Sequence, residues 1–193
     1  MTHLFEAALE VQSFLQEQGW RFCIIGGLAV QRWGQPRATQ DVDLTLLTGF
    51  GDEEGFIEKI LSRFQRRRPD AKQLALAARI LLVNAANGVG VDISLGGLRY
   101  EEGVVARATP FQFVPGVVLL TCSAEDLVVL KAFAERGVDW FDVEGILARQ
   151  RGKLDWGYIR EQLGELCEAK DSPDILDQLE RLREKLESRL MGR

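Results

Sequence analysis

The sequence predicts an α/β fold of the α+β type: a mixed sheet flanked by helices, with a helical part at the C-terminal end. The first observation is a set of short apolar runs typical of strands, at residues 22–25, 41–46, 80–84 and 90–95. The second is that segments with helical spacing of apolar residues separate these runs. The third is that only helical patterns follow residue 123. We therefore expect a core containing the sheet over 1–122 and a helical region packed on it over 123–193.

The composition excludes several classes of protein. A hydrophobic content of 46% and a charged content of 27% are ordinary for a soluble globular chain. No apolar run reaches the roughly 18 residues of a membrane span, and the acidic N-terminus lacks a signal peptide's basic region, so we expect a cytoplasmic protein without a membrane partner. Three distant cysteines without C-x-x-C spacing predict buried or inert thiols, and neither a disulfide framework nor a zinc site. The sole histidine, His3, excludes Ser-His and Cys-His catalysis because it lies at the terminus.

The N-terminal pattern consists of a helix, a strand and a diglycine turn. Apolar residues at helical spacing over 3–18 predict an amphipathic helix on the sheet. An apolar strand at 22–25 follows, and Gly26-Gly27 opens a short helix. Because glycine allows close backbone approach and a helix N-terminus offers free N–H groups, we expect both glycines to bind phosphates.

A second strand carries Asp41 and Asp43. Side chains two residues apart on a strand share a face, roughly 6 to 7 Å apart, while Val42 and Leu44 anchor the opposite face. Two adjacent carboxylates repel each other unless a cation lies between them. The pattern therefore predicts a divalent metal site, and oxygen ligands beside a phosphate-binding turn favour Mg²⁺ and a phosphate-bearing substrate.

Residues 20–150 resemble a known superfamily. The apolar strand, the diglycine and the motif Arg37-x-Thr39-x-Asp41-x-Asp43 are similar to the DNA polymerase β-like nucleotidyltransferases. The form of this motif resembles the AbiEii-type group, toxin-like nucleotidyltransferases that are often paired with an antitoxin. The resemblance implies a nucleotidyltransferase-type mixed sheet and a catalytic core over 1–122. It also implies an NTP as co-substrate and nucleotide-binding roles for Arg37 and Thr39.

A third carboxylate, Asp92, lies on the next predicted strand. Residues 74–84 fit a helix or a strand, with a strand favoured from Ile80, and 90–95 alternates cleanly, so the two runs predict a hairpin. Two-metal phosphoryl transfer requires such an additional acid, and Asp92 matches the third acid of the superfamily. The resemblance thus implies two Mg²⁺ ions held by three aspartates. The alternative is an exposed strand aspartate without a function.

Several further elements are expected from local patterns. A polar, glycine-rich loop over 48–56 precedes a helix, residues 98–108 predict another helix, and Pro115-Gly116 centres a short strand pair. Ser123 caps a helix that Gly137 closes. A leucine stripe then predicts a last helix that packs on the domain or on a second subunit, with Ile175, Leu179, Leu182, Leu186 and Leu190.

Lys131 lies on or beside the apolar face of the helix that Ser123 opens. It either snorkels to solvent or reaches a triphosphate, as the similarity of Ser123-x-x-Asp126-Leu-x-x-Leu-Lys131 to an AbiEii-type motif implies. Either role predicts that Lys131→Met leaves the stability of the protein nearly unchanged.

The element from Arg136 to Asp142 resembles the Arg-x-x-Asp-x-x-Asp element of the same group, with Val138 where the family has a basic residue. The resemblance implies that Asp139 or Asp142 orients Lys131 or binds substrate, and we place Asp142 with the nucleotide-binding residues. The alternative is a pair of acids favoured by the dipole at the start of a helix.

A basic cluster also has two interpretations. Arg63, Arg66, Arg67 and Arg68 form either a solvated helix end or a tRNA-contacting patch. A net charge of −5 argues against a surface built entirely for nucleic acid.

The metal-site pattern and the family resemblance together imply a Mg²⁺-dependent enzyme that moves a nucleoside monophosphate from an NTP to an acceptor hydroxyl. Asp41, Asp43 and Asp92 would hold the metal, and Lys131 would assist catalysis. The acceptor is either tRNA, within a toxin-antitoxin pair, or a small hydroxylated molecule of the antibiotic type. A third hypothesis is an inactive nucleotide-binding or protein-interaction module of the same fold.

Overall fold

The computed structural model describes residues 2–191, with side chains for 2–188. Within them the chain forms an α/β fold with one mixed sheet, as predicted. The strands are β1 (Phe22–Ile24), β2 (Asp41–Leu47), β3 (Gln65–Arg66), β4 (Ile80–Asn84), β5 (Gly90–Gly96), β6 (Thr109–Val114) and β7 (Val117–Thr121). The helices are α1 (His3–Glu17), α2 (Gly26–Trp33), α3 (Glu53–Leu61), α4 (Ala71–Ala78), α5 (Arg99–Ala106), α6 (Ala124–Ala134), α7 (Gly137–Arg149), α8 (Trp156–Lys170) and α9 (Asp174–Met191).

The chain divides into two compact units. Unit 1 comprises Met1–Leu28 with Ala38–Cys122, and unit 2 comprises Ala29–Arg37 with Ser123–Arg193. The predicted boundary at residue 123 places residues 29–37 with the catalytic core. In unit 2 the end of α7 holds this segment instead: Arg149 Nη1 donates to the Gly34 carbonyl at 2.8 Å, and the next side chain, Gln150, donates to the Trp33 carbonyl at 2.8 Å.

Unit 1 contains the sheet, in the order β3-β4-β5-β2-β1-β7-β6. The pairs β2/β5 and β1/β7 are parallel, and β1/β2, β3/β4, β4/β5 and β6/β7 are antiparallel. The antiparallel β4/β5 pair confirms the hairpin predicted from residue 80 onward. The helix alternative for 74–84 holds only for its first part, because α4 ends at Ala78 and Arg79 turns the chain with φ of 56°.

One face of this sheet forms the core. Val42, Leu44 and Leu46 of β2 are fully buried against α1 and α3, together with their counterparts on β5. Each such side chain contributes about 1.5 to 3 kcal/mol by leaving water. A register slip of one residue would exchange this apolar row for the aspartates, so burial of the apolar row directs Asp41 and Asp43 to the other face.

Two predicted boundaries in the chain are wrong. The loop expected over 48–56 ends earlier, because Glu53 already begins α3, where the helix dipole favours acids in the first turn. Gly137 does not close α6. That helix ends at Ala134, Glu135 takes a left-handed conformation with φ of 56°, and Gly137 is the first residue of α7.

In unit 2 the helix α6 contacts α7, α8 and α9. Buried residues therefore lie all around it, including Val128 and Val129, and not on the single apolar face that the sequence suggested. Ile175 and Leu179 of α9 are fully buried, whereas the Leu190 side chain lies outside the described residues.

The predicted burial of the thiols is confirmed, since Cys23, Cys122 and Cys167 are all buried and none of the three is part of a disulfide. Among the described residues, no helix combines the length and the hydropathy that a bilayer crossing would require.

Candidate metal and nucleotide site

Three aspartates of unit 1 come together on the sheet face opposite the core. In the parallel β2/β5 pair, Asp43 lies directly across from Asp92, and Asp41 lies across from Gly90. One carboxylate oxygen from each of the three aspartates lies within 4.8 Å of the others. We call Asp41, Asp43 and Asp92 the acidic triad.

The acidic triad has the chemistry of a divalent metal site. All three residues are partly exposed, which leaves access for waters and for substrate phosphates. Mg²⁺ prefers this kind of site, in which a few carboxylates hold the ion and water and phosphate complete its coordination. Carboxylates this close also repel one another, and a bound cation relieves that repulsion. The donor set thus fits the predicted metal.

The diglycine allows the start of α2 to approach the triad. A Cβ atom on Gly26, whose φ is 57°, would overlap the Asp43 carboxylate, and a Cβ atom on Gly27 would overlap the Thr39 side chain. The Gly27 N–H points to Asp43 Oδ2 at 3.4 Å, and Thr39 Oγ1 donates to Asp41 Oδ1 at 3.3 Å. Phosphate binding is the reason that the sequence pattern suggests for the two glycines. The structure adds a second reason, because only glycine permits this close packing.

Arg67 is a residue of this site that sequence reasoning missed. Its guanidinium pairs with the Asp92 carboxylate. In the sequence Arg67 was one of four arginines interpreted as a helix end or an RNA patch. The helix-end interpretation is wrong for three of them, since α3 ends at Leu61, Arg66 lies in β3, and Arg67 and Arg68 follow it. Only the pairing of β3 with β4 could have revealed the contact.

Two other arginines of the basic cluster also have acidic partners. Arg63 pairs with Glu10 at 2.9 Å, and Arg68 pairs with Asp70 at 2.9 Å. Most of the positive charge that the sequence offered for tRNA is therefore matched by carboxylates.

Unit 2 holds a second group of charged residues, which we call the buried charge chain. Its members contact one another in the order Arg37, Asp142, Lys131, Asp139 and Arg136. Arg37 donates to both oxygens of Asp142 at 2.7 and 2.9 Å. Lys131 Nζ lies 2.9 Å from Asp142 Oδ2 and 2.7 Å from Asp139 Oδ1. Arg136 donates to Asp139 at 2.6 and 3.2 Å.

Burial differs along this chain. The two carboxylates are fully buried and Lys131 is only 6% exposed, whereas the Arg136 side chain at one end is 71% exposed. Lys131 therefore neither snorkels to solvent nor projects as a free cation. The predicted contact between Lys131 and a triphosphate would require it to leave two buried carboxylates.

Hydrogen bonding keeps both buried carboxylates ionised. Burial alone would raise the pKa of Asp142, but the hydrogen bonds from Arg37 and Lys131 outweigh it and bring the pKa below its usual value. Burial likewise acts to raise the pKa of Asp139, and the hydrogen bonds from Arg136 and Lys131 lower it overall. Both aspartates thus carry their negative charge between two basic groups.

The predicted cap of α6 is present. Ser123 Oγ accepts a hydrogen bond from the Asp126 backbone N–H at 3.1 Å. The Asp126 carboxylate is buried, accepting from Ser123 Oγ at 2.7 Å and from the Tyr158 hydroxyl at 2.8 Å. The Ser-x-x-Asp start of this helix is therefore explained by local hydrogen bonding.

The chain matches a known protein family in sequence and a solved structure in fold. Residues 4–183 match the model of a family described as "nucleotidyl transferase of unknown function (DUF2204)". None of the curated proteins is significantly similar in sequence to the chain. Among solved structures, an antigenic nucleotidyltransferase-like protein from Paracoccidioides brasiliensis has a TM-score of 0.51 at 15% identity, over 91% of each chain. A lincomycin-bound lincosamide antibiotic adenylyltransferase, LnuA, has a TM-score of 0.49 at 12% identity, over 76% of this chain and 96% of that one. The first of these likenesses shows the fold.

Proposed function

Since the chain belongs to this family of nucleotidyltransferases, we propose that it is a Mg²⁺-dependent enzyme that transfers a nucleoside monophosphate from an NTP to an acceptor hydroxyl. The observation that carries this proposal is the convergence of Asp41, Asp43 and Asp92 within 4.8 Å on an accessible sheet face. The likeness to the AbiEii-type group within the superfamily stays a prediction.

The three aspartates have distinct roles in this proposal. Asp41 and Asp43, which share one strand face, hold the metal jointly, and Asp92 completes the ligand set for two ions. Bound Mg²⁺ would neutralise charge that develops on the triphosphate. Asp92 accepts the proton of the acceptor hydroxyl, for which its partly exposed carboxylate is accessible.

The nucleotide-binding roles of the remaining residues are part of the same proposal. Gly26, Gly27 and Thr39 bind phosphate groups beside the triad. In unit 2, Arg37 binds the nucleotide through its guanidinium, which is 28% exposed. Asp142 and Lys131 act as positioning residues, because the bidentate pair with Asp142 orients Arg37 and Lys131 holds Asp142.

The proposed function allows two classes of acceptor, tRNA and a small hydroxylated molecule. Because Arg63, Arg67 and Arg68 all pair with carboxylates, the basic cluster lends little support to a tRNA acceptor. A small hydroxylated molecule is the second candidate, and both belong in the assay. The toxin hypothesis predicts in addition an antitoxin partner and growth arrest on expression that Asp43→Ala abolishes.

The direct test is transfer of label from α-labelled NTPs, with Mg²⁺, to a panel of total tRNA and small hydroxylated molecules. We expect transfer to be lost in Asp41→Ala and Asp43→Ala. Asp70→Ala is the matched control, since Asp70 is an exposed aspartate of unit 1 that pairs with Arg68 away from the triad. Undiminished transfer in the triad variants would contradict the proposal. Mg²⁺-NTP binding without transfer to any acceptor would support the inactive-module hypothesis instead.

A further inference from the structure

A backbone hydrogen bond in unit 1 places Arg67 in the same cross-strand row as Asp92. The Arg67 N–H donates to the Leu82 carbonyl at 3.0 Å, directly after the short β3 strand. Leu82 on β4 is in turn the register partner of Asp92 on β5. Arg67, Leu82 and Asp92 therefore form one row across three neighbouring chain segments, and the arginine side chain extends along that row to the carboxylate.

A glycine leaves room for the guanidinium. A Cβ atom on Gly90 would lie 2.5 Å from Arg67 Nη1, which is too close for two heavy atoms. Gly90 is also the register partner of Asp41. The guanidinium thus lies beside the triad, where it pairs with Asp92 Oδ1, and both side chains of the pair remain about one-third exposed, at 32% and 33%.

From this arrangement we propose that Arg67 is an internal counter-ion that competes with a metal ion for Asp92. A guanidinium and a divalent cation both require the negative charge of the carboxylate, and the two cations repel each other. Metal binding at Asp92 therefore displaces Arg67, so that this ion binds more weakly than the ion held by Asp41 and Asp43. The inference rests on the proposed metal role of the triad and makes Arg67 a competitor of the metal ion at Asp92.

Binding of Mn²⁺ alone, followed by the electron paramagnetic resonance signal of the free ion, measures this competition without any turnover. We expect a stronger and a weaker site in the unaltered protein. Arg67→Ala should raise the affinity of the weaker site about threefold to tenfold, a range that lies between an exposed ion pair and a buried charged hydrogen bond. Arg67→Lys, which restores the charge, should return the affinity toward that of the unaltered protein.

Two further variants separate competition from a general structural effect. Gly90→Ala should also strengthen the weaker site, because its methyl group displaces the flexible end of Arg67 and leaves all three carboxylates in place. Arg68→Ala is the control, since Arg68 pairs with Asp70 and should leave Mn²⁺ binding unchanged. If Arg67→Ala does not fold, Gly90→Ala still makes the test.

Unchanged or weaker Mn²⁺ binding in Arg67→Ala and Gly90→Ala, with two sites retained in the unaltered protein, would overturn the inference and leave the proposed function intact. An unaltered protein that binds no Mn²⁺ would instead contradict the proposed function itself. The two failures are therefore distinguishable in one titration.

Discussion

The acidic triad of unit 1 and the buried charge chain of unit 2 each begin as two aspartates close together in the sequence, Asp41 with Asp43 and Asp139 with Asp142. Their surroundings differ. The first pair joins a third carboxylate on a partly exposed sheet face. Each member of the second pair is fully buried and hydrogen-bonded to two basic side chains.

Aspartates at similar spacing in the sequence therefore have different roles, which depend on their surroundings. A carboxylate enclosed by basic partners is part of the folded structure, and removing a partner leaves a charge in a medium that solvates it poorly. Carboxylates that face one another with access to water instead attract a cation from solution. Substitutions in the two groups should therefore separate activity from stability.

The largest effect that we expect is on transfer activity in Asp43→Asn. Loss of one metal ligand removes several kcal/mol of transition-state stabilisation, on the order of 10³-fold in rate. The free energy of unfolding should stay the same or rise, because one source of repulsion in the triad is removed. Transfer assays and urea unfolding measure the two quantities. A large loss of stability in the metal-free variant would show that the triad is structural. It would contradict the difference that we infer between the triad and the buried charge chain.

Lys131→Met should produce the largest loss of stability. It leaves Asp139 and Asp142 without their shared cation, and breaking a buried pair in this way costs about 3 to 5 kcal/mol. A lysine at a helix surface predicts nearly unchanged stability in this variant, whereas the buried pairs with Asp139 and Asp142 predict the opposite.

Urea unfolding of Lys131→Met checks this value. Lys170→Met is the matched control in unit 2, because Lys170 pairs with Glu135 near the surface and its loss should cost less than about 1 kcal/mol. An unchanged unfolding midpoint for Lys131→Met would mean that the buried charge chain contributes no stability.

The buried charge chain should also make the protein sensitive to acid. The pKa values of Asp139 and Asp142 lie below their usual value in the folded state. As the pH falls below about 4, the unfolded chain therefore takes up protons first, and each unit of pKa depression represents about 1.4 kcal/mol of stability that is lost on further acidification. Urea unfolding between pH 6 and pH 2.5 should show this decline, with a shallower slope in Asp142→Asn. An equal slope in that variant would remove Asp142 as its source.

The smallest effect that we expect is at the exposed end of the buried charge chain. Arg136 donates two hydrogen bonds to Asp139, but its side chain is 71% exposed, so water can replace much of the contact. Arg136→Ala should lower the free energy of unfolding by less than about 1 kcal/mol. A loss as large as that of Lys131→Met would show that both cations are equally necessary to Asp139.

The local elements and the chemistry of the triad could be predicted from the amino-acid sequence. Alternation at Asp41, Asp43 and Asp92 reports which side chains share a strand face, and the Ser123 cap and the hairpin depend on residues near one another in the chain. The mixed fold followed from these signals, and the enzyme class followed from the resemblance of the Arg37-x-Thr39-x-Asp41-x-Asp43 motif to a known superfamily.

Which charged side chains form ion pairs depends on the tertiary structure. Arg37 and Asp142 are 105 residues apart, and Arg67 and Asp92 are 25 apart, so their pairing depends on how separate elements pack and on no local period. Packing likewise buried Lys131 and joined residues 29–37 to the C-terminal helices. An ion pair forms where packing brings two oppositely charged side chains together. Periodicity predicts only which face of a helix or strand carries each side chain.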